Sequence, residues 1–477
     1  MSDQRHTPAA AAPTPLRAPD PAAQARAVRE KQLVAEILER TRELGALREV
    51  PEPFEPGRTP VKYAGRVYGA PELTQLVESS LEFWLTSGRW HRRLEAGLGR
   101  HYGLAHARLV NSGSSANLLA VAALHSRLLG DKRLRPGDEV ITVAAGFPTT
   151  VAPMLQHGLV PVFIDVKLET ANVEVALLEQ ALSPRTRAVM LAHTLGNPFD
   201  LDSVTDFCKR HGLWLVEDNC DANGSLWRGR KTGTFGALAT LSFYPPHHMT
   251  MGEGGAVLTG DDTLNRALES LRDWGRDCYC PSGVDNTCKQ RFGWQLGALP
   301  HGYDHKYTYS HLGYNLKITD MQAAVGLAQL GRLDGFGAAR RANWTFFREA
   351  LGDLGHLFVL PEPTPGSDPS WFGFLLTVRE GAPFTRDQMV AHLESRKIQT
   401  RMLFAGNLTR QPALHDLAVE ATLEGRPAPF RIASRLVNTD ALLERAFWVG
   451  VWPGMSEEQR AFVAEELRRF ALSPGGA

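Results

Sequence analysis

The chain has 477 residues, with 52 basic and 52 acidic side chains, 43% hydrophobic residues and five cysteines. At roughly 100 to 200 residues per domain, this length leaves room for two or three domains and a large core. Zero formal net charge argues against nucleic acid or an anionic membrane as partner, since both are bound through clustered Lys and Arg, and favours a small molecule. The longest clean apolar run, Leu118 to Leu124, is far short of the roughly 20 residues of a membrane helix, and no apolar signal-peptide core opens the chain. A cytoplasmic protein with reduced thiols is expected, because five cysteines cannot pair completely.

Residues 1 to about 21 are Ala/Pro-rich without apolar periodicity and read as a disordered leader. A helical pattern from Ala22 to about Leu47 follows, and a linker carrying Pro51, Pro53, Pro56 and Pro60 closes this first part, residues 1–60. From Pro71 to Trp84, the apolar residues Leu73, Leu76, Val77, Leu81 and Trp84 share one face of an amphipathic helix. Strands are expected at Ala107–Val110, Glu139–Val143, Val160–Ile164, Ala188–Leu191, Leu213–Val216, Leu238–Phe243 and Ala256–Leu258, with helices in most intervals. Such alternation predicts an α/β fold with a mostly parallel sheet covered on both faces and ligands at the carboxyl ends of its strands. A long helical stretch from Thr319 to about Leu351 leads into a smaller α+β pattern between Leu357 and Leu472. The expected division is a large domain, 61–345, and a small C-terminal domain, 346–477.

Three segments carry chemistry. Asn111-Ser-Gly-Ser-Ser-Ala-Asn117 lies between a strand and an apolar helix, where free N–H groups and the helix dipole favour an anion; an ordinary N-cap would look the same. Glu217-Asp218 ends a buried strand, where a carboxylate needs a cationic partner such as a protonated pyridine nitrogen, unless it only caps the next turn. The third is Ser242-Phe-Tyr-Pro-Pro-His247-His248-Met-Thr-Met-Gly-Glu-Gly-Gly255.

In order, these pieces resemble the sugar-aminotransferase (DegT-type) family of fold type I pyridoxal-phosphate enzymes. Leu312-Gly-Tyr-Asn-Leu-Lys317 and Gln322-Ala-Ala extend the match. The resemblance implies a large domain with a mostly parallel sheet flanked by helices and a smaller C-terminal α+β domain. In that family a Lys stands five residues after the Ser of Ser-Phe and forms the Schiff base; here that position is His247. Imidazole moves protons but cannot tether the cofactor, so the chain is expected to hold pyridoxamine phosphate (PMP) noncovalently with His247 as base. Lys231, in Gly229-Arg-Lys-Thr-Gly, is the nearest rival for a Schiff base and reads as part of a surface turn. The His-His substitution resembles one branch, the NDP-4-keto-6-deoxyhexose 3-dehydrases.

The cysteines bear on that branch separately. Cys220, Cys278, Cys280 and Cys288 have the spacing C-x57-C-x-C-x7-C. By themselves they leave an iron-sulfur cluster, a structural zinc and plain core thiols open, although a single residue between Cys278 and Cys280 is tight for zinc. The iron-sulfur member of the branch has the same spacing, which implies four thiolates on a [2Fe–2S] cluster. Cys208 is left as a small apolar core residue. Asp218 and Cys220 lie two residues apart, within about 7 Å of each other, so a cluster on Cys220 would lie near the cofactor ring.

The resemblance implies that the 4-keto group of a nucleotide-linked 6-deoxyhexose condenses with the PMP amine while Asp218 keeps the ring nitrogen protonated. His247, or His248 in its place, then moves the C4′ proton as the C3 hydroxyl leaves. Single electrons from a partner reductase, or from a ferredoxin or flavodoxin system, would pass through the cluster and complete a C3 deoxygenation. By position, Gly113, Ser114 and Ser242 match phosphate contacts, Phe147 an aromatic ring stacked on the pyridine, and Asp221 a residue near the ring hydroxyl. Asn315 matches an Asn that reaches the neighbouring subunit's cofactor, implying a homodimer with shared sites, and Arg401 is a candidate for the substrate diphosphate. The competing functions are a cluster-free dehydrase, a sugar aminotransferase and a non-catalytic zinc protein. The sequence distinguishes neither TDP from CDP sugars nor the electron donor.

Overall fold

The computed structural model describes residues 20–49 and 53–474. The expected leader, but for its last residues, and Pro51 lie outside the described residues. Asp20 caps the helix Pro21–Arg48, accepting the Ala22 N–H. This helix packs on Ala70–Glu82, where Gly45 meets Ala70 so closely that a Cβ would come within 2.5 Å of the Ala70 Cα.

All seven expected strands form, each within two residues of its expected ends. The large sheet has the order His106–Val110, Gly255–Thr259, Leu238–Ser242, Trp214–Asp218, Thr186–Ala192, Glu139–Val143, Val160–Ile164, Arg431–Ile432. Gly255–Thr259 runs antiparallel to both its neighbours, and the other pairs are parallel. Glu139–Val143, Leu238–Ser242 and Gly255–Thr259 are buried at every position, as strands covered on both faces must be. Alternate residues separate cleanly. Val140, Met190 and Val216 pack with the helices Gly113–Leu124 and Asp262–Arg272, whereas Ile141, Val189 and Leu215 pack with Leu201–His211.

The long helical stretch is two helices, Asp320–Leu330 and Leu333–Ala350, interrupted at Gly331 and Arg332. Beyond it, Phe358–Val359, Gly373–Val378, Ala446–Gly450 and Thr400–Arg401 form an antiparallel sheet in that order. Arg386–Ser395 and Glu457–Leu472 close over it with Met389, Leu393, Phe462 and Leu467. Between these strands the chain returns to the large sheet, where Arg431–Ile432 pairs with Val160–Ile164 and covers its outer edge. A two-residue strand has no periodicity to reveal it. Residues 273–319 follow a different rule: between the helices Asp262–Arg272 and Asp320–Leu330 the one regular element is the short turn His305–Tyr307. No helix among the described residues is long and apolar enough to cross a membrane.

Candidate active site

Three strands, Trp214–Asp218, Leu238–Ser242 and His106–Val110, end on the same side of the large sheet, and the small sheet faces that side across a cavity of about 760 Å³. The large sheet contributes Gly113, Ser114, Asn117, Phe147, Thr150, Asp218, Cys220, Asp221, Ser242 and His247. Phe372, Arg401, Phe404 and Trp448 close the opposite wall.

Alternation along the strand divides the acidic pair. Glu217 faces away from the cavity and accepts the N–H groups of Gly233, Phe235 and Gly236, each at 2.7 Å, with His193 Nε2 at 3.1 Å. Its charge is fully engaged by the fold. Asp218 faces the cavity and is held from behind: Asn117 Nδ2 donates at 2.9 Å, Thr150 Oγ1 at 2.7 Å and the Cys220 N–H at 3.2 Å. Thr240 fixes Asn117 in turn, donating to its Oδ1 at 2.7 Å. These neutral donors orient the carboxylate without supplying a cation, leaving it suited to a protonated ring nitrogen. Asn117, Thr150 and Thr240 belong to separate elements, so the sequence did not single them out for this role.

The phosphate-type turn has the expected local form. Ser112 caps the helix Gly113–Leu124 by accepting the Ser115 N–H at 3.0 Å, a cap worth about 1 kcal/mol. A Cβ at Gly113 would come within 2.5 Å of the Ser242 Cβ, so glycine permits the helix start and the end of Leu238–Ser242 to meet. Ser114 Oγ donates to Thr149 at 3.0 Å, and Phe147, immediately before the helix Pro148–Gln156, sets its ring edge-on to Phe404 at 5.8 Å between centroids. Together the N–H groups and hydroxyls at the helix start, the aromatic wall and the Asp218 carboxylate have the chemistry to hold a pyridoxamine or pyridoxal phosphate.

The two histidines also divide. His247 lines the cavity, packs on Phe372 at 5.1 Å and leaves Nδ1 buried without a hydrogen-bond partner, 3.7 Å from Asp221. Burial, then the nearby Arg340 cation, push it down to about 4, so the ring is neutral at physiological pH. His248 turns the other way and engages the Ser370 carbonyl at 2.6 Å. Arg340, fully buried, donates to the carbonyls of Pro246, His247 and Trp371 at 3.1, 3.2 and 3.1 Å, fixing the His247 backbone against the small-sheet segment. Burial, then the Asp218 charge, push Asp221 up to about 8. Arg401 lies 3.8 Å over the Tyr63 ring at the cavity wall.

Other residues lie elsewhere. Asn315 is not among the cavity-lining residues and accepts from Lys317 at 2.7 Å. Lys231 sits in a small hairpin, its Nζ bonded to the His101 carbonyl. Cys208 is core, its thiol pushed up to about 12 by burial. Cys220 lines the main cavity, where burial and then Asp218 hold its thiol well above the ordinary value. Cys278, Cys280 and Cys288 line a second, small cavity with His305. There the Thr287 N–H reaches Cys280 Sγ at 3.4 Å, and Cys288 Sγ stands 3.8 Å from His305 Nδ1. Burial raises Cys280, but hydrogen bonding from Thr287 outweighs it and holds the thiol below its ordinary value, as His305 does for Cys288. Among the described residues no group of three or more His, Cys, Asp or Glu side chains is arranged to hold a metal ion, and Cys220 lines the main cavity while Cys278, Cys280 and Cys288 line the small one, so the four expected cluster ligands are not brought together here. His305 was not found by sequence reasoning, because it lies 17 residues beyond the last cysteine and no motif marks it.

Residues 68–468 match the DegT/DnrJ/EryC1/StrS aminotransferase family. The chain is 54% identical over 417 residues to dTDP-4-dehydro-2,6-dideoxy-D-glucose 3-dehydratase of Saccharopolyspora spinosa, covering 87% of this chain and 88% of that protein. It is 51% identical to the lipopolysaccharide biosynthesis protein RfbH of Salmonella typhimurium, covering 88% and 94%. Among solved structures, the E. coli GDP-4-keto-6-deoxy-D-mannose-3-dehydratase with bound hydrated PLP superposes with a TM-score of 0.75 at 26% identity, over 86% of this chain and all of that one. The match spans both sheets and the cavity between them, and the chain belongs to the DegT/DnrJ/EryC1/StrS aminotransferase family.

Proposed function

We propose that the chain removes the C3 hydroxyl from a nucleotide-linked 4-keto-6-deoxyhexose, using PMP in the main cavity and electrons delivered through a [2Fe–2S] cluster. The observation that carries this is His247 facing the cavity with a free Nδ1 where the aminotransferase pattern has its Schiff-base Lys; no lysine is among the described cavity-lining residues. The relatives named as sugar 3-dehydratases support the reaction class.

When bound, PMP supplies an amine to condense with the 4-keto group and a ring that takes up electron density. Asp218 holds the proton on the ring nitrogen. Gly113, Ser114 and Ser242 bind the phosphate, and Phe147 sets the plane of the ring. His247, neutral and desolvated, takes the proton from the C4′ carbon; with no lysine amine at hand, the bound sugar is not diverted towards transamination. Asp221, beside His247, orients the imidazole, while His248, bonded to Ser370, serves as scaffold and is the weaker candidate for the base. Arg401 receives the substrate diphosphate.

Cys278, Cys280 and Cys288, with Cys220 from the main cavity, would hold the cluster, which would supply one-electron chemistry; their C-x57-C-x-C-x7-C spacing supports this ligand set. A reductase or ferredoxin-like donor feeds it, and a homodimer places Asn315 at the neighbouring site. The test is anaerobic incubation with PMP, a reductant and candidate NDP-4-keto-6-deoxyhexoses, followed by mass spectrometry for loss of the C3 oxygen. Turnover of one candidate is expected. Deoxygenation of none, with transamination in His247→Lys, would leave only the fold.

A further inference from the structure

We propose that the groove between the helices Ala70–Glu82, Arg89–Tyr102 and Asp320–Leu330 is a binding site for a compact polyphosphate anion, separate from the main cavity. The groove has a volume of about 450 Å³ and is lined by Gln75, Arg89, Arg92, Arg93, Arg100 and Leu327. Positions 89, 92, 93 and 100 share one face of their helix, so four guanidinium groups leave it on one side, while Trp90, His91, Leu94 and Leu98 are buried on the other. Arg89 is answered by Glu78 and Glu82. The one carboxylate of that helix, Glu95, is turned to His91, Arg108 and Arg272 instead. Arg92, Arg93 and Arg100 are exposed, and among the described residues no carboxylate pairs with them and no side-chain hydrogen bond engages them.

This arrangement works against the fold. Arg89, Arg92 and Arg93 lie at the start of the helix, where the dipole is already positive, and they repel one another across one turn. In a chain whose charges balance at 52 to 52, so local an excess costs stability unless an anion meets it. Backbone donors at that helix start are taken: Asp320 accepts the Gly88, Trp90 and His91 N–H groups at 2.7, 3.2 and 2.9 Å, so the anion belongs along the arginine face. The Trp90 ring holds Arg89 and Arg93 in place, at 4.2 and 4.8 Å from its centroid. Gln75 adds a separate sign of a ligand, since its Oε1 is buried without a partner. Turned end for end, that amide presents its NH2 group to an oxyanion. Guanidinium forks match phosphate oxygens in pairs, and three free forks call for more than one phosphate. The concave shape and the volume, within the range of small-ligand sites, favour a compact anion over an acidic protein surface.

The test is calorimetric titration of the full chain, saturated with PMP, with inorganic tripolyphosphate and, separately, with a nucleoside triphosphate. Both probes should bind at one site per chain, several-fold more weakly at about 200 mM salt than at about 50 mM, as screening requires. Arg93→Gln and Arg100→Gln should each weaken binding about tenfold, the loss of one charge-assisted contact, and Arg92→Gln/Arg93→Gln should weaken it more. These exposed arginines hold nothing in the fold, so the variants should keep the circular dichroism spectrum and melt no lower than wild type. Equal affinity for the two probes assigns the phosphate chain alone, and tighter binding of the nucleotide assigns a base as well; both support the site. No binding of tripolyphosphate at about 1 mM overturns it, as does binding that the groove variants leave unchanged. Binding lost in Arg401→Gln but kept in the groove variants places the anion in the main cavity and overturns it too. None of these results bears on the proposed function.

Discussion

The two candidate centres of this molecule are built by opposite means. The main cavity sits on strand ends and helix starts, and its reactive groups are backed by layers of buried donors: Thr240 holds Asn117, Asn117 holds Asp218, and Arg340 holds the His247 backbone. The three-cysteine pocket lies in residues 273–319, whose one regular element is a single turn and which leaves Phe292, Tyr303, Tyr307, Tyr309 and Leu312 exposed. A site made by a sheet has its geometry set by the burial that folds the protein. A site made by an irregular segment lacks that frame, and its geometry rests on side-chain contacts within the segment, such as Arg291 with Asp304 and His305 with Asp277.

That contrast predicts different failures. The largest effect is expected in the cavity: His247→Asn should cut C3 deoxygenation by about 10²–10⁴-fold, the range of a lost general base, with PMP still bound and thermal stability little changed. His248→Asn should disturb stability more than chemistry, and the pair is separated by comparing kcat with the melting temperature. Asp218→Asn should cost about 10²–10³-fold in kcat, as loss of an electrostatic stabiliser does, and should release PMP on gel filtration. Retention of both PMP and activity in Asp218→Asn would mean that this carboxylate does not serve the ring nitrogen.

In the second centre, Cys280→Ser should leave the main unfolding transition in place while proteolysis between Cys278 and Lys306 accelerates several-fold, which limited trypsin digestion followed by mass spectrometry would show. Equal loosening of both regions would erase the contrast. The smallest effect concerns the scaffold. His125, stacked on His157 at 4.9 Å, is pushed down to about 4 by burial and then by that neighbour. Because the folded value lies below the unfolded value near 6.5, its contribution is complete above that pH and is lost as pH falls towards 4. His125→Gln should move the acid-unfolding midpoint to lower pH, and an unchanged midpoint would show that the ring bears no linkage.

What could be read from the sequence follows the same division. Seven strands announced themselves because each is short, mostly apolar and mostly buried, and Asp218, His247 and Ser242 were found because a motif fixes them near strand ends. Arg431–Ile432 was invisible, since two residues carry no period and its partner strand is some 270 residues away. Thr150, Asn117, Arg340, Phe372 and Trp448 could not be picked out, because what makes them part of the site is tertiary proximity. The break at Gly331 was hidden by good helix formers on either side. Cysteine spacing singled out Cys278, Cys280 and Cys288, which do share a pocket, but gave no sign of His305, which the fold brings back beside Cys288.

Glu217 with Asp218, and His247 with His248, are adjacent like residues of which one meets the cavity and the other is consumed by the scaffold. Function at these places is therefore a matter of parity. Deleting one residue ahead of Asp218 within its strand would present to the ligand a carboxylate whose charge the fold relies on, and would bury the reactive one among groups that cannot use it. Two chains of this kind could agree in composition at both pairs and still differ in chemistry, so comparisons among relatives gain more from tracking insertions in the strand before Asp218 and in the turn before His247 than from scoring the residues themselves.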